Sequence, residues 1–78
     1  MTDVQKDHKR LHENLITLQK MYGASALAEV LGINKNTWTN RMREPWKKFS
    51  YDDFRIISKY CHIGIDSLLL GRLTVKGE

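Results

Sequence analysis

Apolar residues recur along the chain at helical spacing. Leu11, Leu15, Leu18 and Tyr22 stand at i, i+4, i+7 and i+11, one stripe of an amphipathic helix that Gly23 interrupts. Leu27, Val30 and Leu31 form a second short stripe, ended by Gly32 as a C-terminal stop. Trp38 and Met42, four apart, form a third. Pro45 limits it, because the residue before a proline avoids helical geometry. Tyr51, Phe54, Ile57 and Cys61 give a fourth inward stripe, and Ile65, Leu68 and Leu69 a fifth before Gly71. No stretch alternates apolar and polar residues for five or more positions, so no strand is predicted.

Four helix starts share a signature. A hydrophobic staple pairs the residue before an N-cap with the residue five positions later. Tyr22 and Leu27 flank Gly23, Ile33 and Trp38 flank Asn34, Phe49 and Phe54 flank Ser50, and Ile63 and Leu68 flank Gly64. Ser50 also has Asp53 three residues on, a variant of the capping box. The pattern predicts an all-α domain with helices near 7–22, 24–31, 35–43, 51–61 and 65–70.

Trp38 then poses a question, because Asn34, Lys35, Asn36, Thr37, Thr39, Asn40, Arg41 and Arg43 surround it. The staple to Ile33 and the i, i+4 partner Met42 make it the buried edge of its helix, a core anchor rather than a ligand contact. The rest of that helix is left free to be polar.

Charge says what the polar surface faces. Residues 34–49 hold Lys35, Arg41, Arg43, Lys47 and Lys48 against Glu44 alone, and so carry the whole net charge of +4. A basic patch on an otherwise neutral body is a footprint for a polyanion, the alternative being a solvated charged face.

Other chemistry is thinly represented. Seventy-eight residues make one domain, 1–78, with a modest core. Cys61 is the single cysteine, so no internal disulfide forms and a cytoplasmic setting is expected. No apolar run reaches membrane-spanning length, and MTDVQKDHKR is too polar for a signal peptide. His8 and His12 share a helix face, but two ligands make no zinc site, and HENLI lacks the second histidine of a metalloprotease motif. Cys61 reads as a small core residue. With no Gly-rich phosphate loop and no Ser/His/Asp set, neither an enzyme nor a cofactor is expected.

A short helix, a turn of Gly32, Ile33 and Asn34, and a second helix spell a helix-turn-helix unit. Ala28 is small where the helices approach, Gly32 takes the positive φ of the turn, and Ile33 plugs the angle between them. On these residues the chain resembles the phage lambda repressor and Cro-like family, also called XRE-type domains, from about Leu11 to Gly71. LAEVLGI is similar to the family's Leu-Ala, two variable residues, Leu-Gly and an aliphatic residue. FSYDDFRIISKYCHIGIDSLL is similar to its fourth and fifth helices. The resemblance implies a five-helix lambda-repressor-like fold and sequence-specific binding of double-stranded DNA.

Where the family often has a phosphate-binding Gln at the start of helix two, this chain has Ala24. The contact is then expected from the backbone N–H groups of Ala24 and Ser25 or the Ser25 hydroxyl. Arg41 stands where many members carry an apolar residue, and Met42 is expected to take over its packing.

A helix in the major groove reads bases from its first half. Lys35, Asn36 and Asn40 are the expected base contacts, joined by Thr39. Thr37, Arg43, Lys47 and Lys48 are the expected backbone contacts, with Ala24 and Ser25. Either threonine suits a phosphate, and Asn34 is expected to serve as an N-cap. Trp46 either covers the core edge, the preferred reading, or offers its N–H to a phosphate. Ile56, Tyr60, Leu70 and Leu73 lie off the inward stripes. They suggest a homodimer patch on a palindromic operator, with half-sites ~34 Å apart, the alternative being scattered surface residues. With no second domain expected, a Cro-like repressor or an antitoxin suits the length. A protein-interaction module that keeps the fold is the competing class.

Overall fold

The computed structural model describes residues 2–71, and all the regular structure among them is helical. Six helices follow one another: α1 (Asp3–Tyr22), α2 (Ala24–Leu31), α3 (Lys35–Arg41), α4 (Pro45–Lys48), α5 (Tyr51–Tyr60) and α6 (Ile65–Leu69). The four stapled positions Gly23, Asn34, Ser50 and Gly64 are the N-caps of α2, α3, α5 and α6. Asn34 accepts from the Thr37 N–H at 2.7 Å, and Ser50 and Asp53 close a reciprocal capping box.

The structure differs from the expected pattern at three places. Helix α1 starts four residues before the predicted start near 7, because Thr2 and Gln5 form a capping box. No apolar stripe extends that far, so periodicity could not find this turn. Among the described residues six helices replace the expected five, because Pro45 opens a helix as well as closing off the one before. Its missing N–H costs nothing at a first helical position, and the N–H groups of Lys47 and Lys48 bond to the Glu44 carbonyl, each at 3.0 Å. Tyr51, placed on the inward stripe of α5, is exposed at the helix's first position.

The core joins Leu11, Leu15 and Leu18 of α1 to Leu27 and Ala28 of α2, Trp38 of α3, and Phe54 and Ile57 of α5. Met42, Phe49, Cys61 and Leu68 complete it. Burying one such large apolar side chain contributes about 1.5–3 kcal/mol. Helix α1 packs on α2, α4 and α6, and α5 packs on α2 and α6. Trp38, Phe49 and Phe54 form a run of tilted rings with centroids 5.3 and 5.9 Å apart.

Two polar residues, Asn14 and Ser58, are buried beside this core, and the apolar pattern marks neither. Asn14 of α1 is buried, and its Nδ2 donates to the carbonyls of Leu68 and Gly71, each at 2.8 Å. A helix leaves its last carbonyls without intrahelical partners. Asn14 supplies donors to the end of α6 and ties it to α1.

Candidate nucleic-acid interface

Helix α2 ends in a left-handed Gly32, at φ 73° and ψ 26°. The Ile33 N–H reaches back to the Ala28 carbonyl and the Gly32 N–H to that of Glu29, both at 3.0 Å. This is the Schellman arrangement, which stops one helix and redirects the chain in two residues. Asn34 then caps α3, so α2 and α3 meet across a three-residue turn. Ala28 is buried against the bend, and Ile33 packs on the core as expected.

Trp38 is fully buried and fixes which side of α3 faces outward. At ~100° per residue, Asn36 and Asn40 each lie about 160° around the helix from the indole. Both amides are exposed, as are Lys35, Thr39 and Arg43, while Thr37 and Arg41 are half-buried on one flank. The four expected base contacts therefore share the open side of one helix. The Thr39 hydroxyl donates to the Lys35 carbonyl at 3.0 Å, one turn back, and this fixes the rotamer of Thr39. Arg43 lies just past α3, since Met42 is its C-cap and takes up the buried position.

Two of the five cations of the basic segment stand beside carboxylates. Arg41 reaches Asp53 of α5 at 3.8 Å, and Lys47 reaches Glu44 at 3.4 Å. Both pairs are solvent-exposed or half-exposed and so hold weakly. Lys35, Arg43 and Lys48 have no ion-pair partner among the described residues. Lys47 and Lys48 sit in the last turn of α4, where cations suit the negative end of a helix. Trp46 of the same helix is half-buried and stacks on His8 of α1, with ring centroids 4.5 Å apart and planes 4° from parallel. It covers the core edge, the preferred of its two expected roles.

The N-terminus of α2 carries Ala24, half-buried, and Ser25, exposed. Its N-cap Gly23 offers no side-chain acceptor to the first-turn N–H groups. Ile56, Tyr60 and Leu70 are exposed by 43%, 40% and 60%, so they lie off the core as expected, and Tyr60 also touches the ring of Tyr22. Leu73, the fourth residue of that patch, lies outside the described residues.

Elsewhere the chemistry is sparse. No group of three or more His, Cys, Asp or Glu able to hold a metal occurs among the described residues. Burial pushes the Cys61 thiol above its ordinary value. No helix among the described residues is long and apolar enough to cross a membrane. No protein-family profile, no curated protein and no solved structure matches the chain.

Proposed function

We propose that this protein binds double-stranded DNA in a sequence-specific manner, through a lambda-repressor-like helix-turn-helix formed by α2 and α3. The observation that carries the reading is the roll of α3. Its indole is fully buried while Asn36 and Asn40 stand together on the opposite, exposed side. An amide pair one turn apart on an open helix suits adenine edges in a major groove. Lys35 and Thr39 flank that pair and complete the base-reading surface. Arg43, Lys47 and Lys48 extend it with phosphate-binding charge, beside Thr37. The N-terminus of α2, at Ala24 and Ser25, lacks a side-chain cap and offers N–H groups to a further phosphate. A homodimer through Ile56, Tyr60 and Leu70 would match a palindromic operator, as expected of a small repressor. A cytoplasmic, bacterial or phage regulator is the setting in which such a domain works.

Selection of bound duplexes from a random DNA pool tests the proposal. Enrichment of a defined site supports it, and an inverted repeat among the enriched sequences supports the dimer. Retention on neither DNA nor heparin at low salt overturns it. The protein-interaction module, or an antitoxin acting through protein contacts, then becomes the better account.

A further inference from the structure

The indole Nε1 of Trp38 donates to the side-chain Oε1 of Gln19 at 2.6 Å. Gln19 belongs to α1, which is anchored by Leu15 and Leu18, both buried in the core. The remaining restraints on the Trp38 side chain are apolar, chiefly the tilted ring of Phe49 and the body of the core. Apolar contact is non-directional and tolerates small rotations. A hydrogen bond to an indole N–H does not, since it weakens steeply away from linear geometry. We infer that Gln19 is the positioning residue that sets the roll of α3 about its axis, and through it the choice of DNA sequence.

The lever arm makes this consequential. Side-chain tips lie about 5–6 Å from a helix axis, so a roll of ~20° carries them about 2 Å. Acceptable hydrogen-bond distances span only about 0.5 Å. A roll of that size would take Asn36 and Asn40 off a base edge while leaving the protein's net charge untouched. Gln19 is half-buried and bonds to the Trp38 indole rather than to either asparagine. Its effect passes through Trp38, whose backbone lies between the two asparagines. Sequence choice and general affinity should therefore separate when Gln19 is changed, because base contacts depend on the roll far more than phosphate contacts do.

The DNA part of this inference rests on the proposed function, but the structural part does not. Gln19→Leu removes the acceptor, Gln19→Glu retains one, and Trp38→Phe removes the donor. Residual dipolar couplings of the amides of residues 35–41, referred to α1 and α5 in the free protein, read the roll directly. Gln19→Leu should rotate α3, Gln19→Glu should not, and Gln19→Leu should add nothing in a Trp38→Phe background. Couplings in Gln19→Leu that superpose on those of the parent overturn the inference. In the DNA arm, Gln19→Leu should lower the ratio of selected-site to random-duplex affinity by about tenfold, the scale of one lost base pairing, with the salt slope held. Equal loss on both duplexes, or no loss, overturns the link to specificity. If the parent protein selects no sequence, the proposed function fails alone, and the couplings still decide whether Gln19 orients α3.

Discussion

Gly32 and His62 occupy the same station in two copies of one helix-ending device. The Ile33 N–H bonds to Ala28 and the Gly32 N–H to Glu29. Likewise the Ile63 N–H bonds to Ser58 and the His62 N–H to Lys59. Both residues are left-handed, with φ of 73° and 57°. The chain therefore uses one Schellman turn to launch α3 and another to launch α6, but only the first has a glycine.

Opposite substitutions should then have opposite signs. A Cβ at Gly32 would meet nothing within 4 Å, so Gly32→Ala pays only the backbone strain of a left-handed residue, a loss of about 1 kcal/mol. His62→Gly relieves the same strain against the greater freedom of an unfolded glycine, and should gain about 0.5 kcal/mol. Urea denaturation of both variants checks this, and two losses would show that the His62 side chain contributes something the backbone does not reveal.

Asn14 should matter more than its type suggests. Asn14→Ala leaves the carbonyls of Leu68 and Gly71 without the donor that now serves them. The expected destabilisation is about 1–3 kcal/mol. Amide hydrogen exchange should rise first in α6, because Asn14 ties that helix to α1. Uniform loss of protection across all six helices would mean that α6 does not open separately.

Base readers and phosphate binders should part company in DNA titrations. Asn36→Ala is expected to cost about 1–3 kcal/mol on a selected site and little on random duplex. Lys48→Ala should weaken both alike and make the salt dependence about one unit shallower. Equal losses on the two duplexes for Asn36→Ala would remove it from the reading surface.

Cys61 should be a poor nucleophile while the protein is folded. It is buried, and desolvation raises its thiol above the ordinary value of 9.0. A raised acid binds its proton more tightly when folded. The associated stability is therefore present below the unfolded value and is lost as pH climbs through the folded one. Labelling by a thiol reagent at neutral pH should be slow and should accelerate on adding denaturant. Rapid labelling of the native protein would contradict this burial.

The sequence by itself determined that the chain is helical, where four of its helices begin, and that Trp38 points inward. Those features depend on neighbours within one or two turns: staples, caps, a glycine, and apolar residues on one face. The same local rules hid α4, since a proline before a single turn reads as a stop. They also missed the first turn of α1, whose signal was the Thr2 and Gln5 cap rather than an apolar stripe. The tertiary structure alone decided what crosses between helices. Asn14 meets Leu68 across 54 positions, Gln19 meets Trp38 across 19, and Arg41 finds Asp53 on another helix. Nothing local marks such partners, because a hydrogen bond between distant residues depends on how the intervening helices pack. The set of outward side chains on α3 could thus be read from spacing, whereas their anchoring and the pairing of their neighbouring charges came only with the fold.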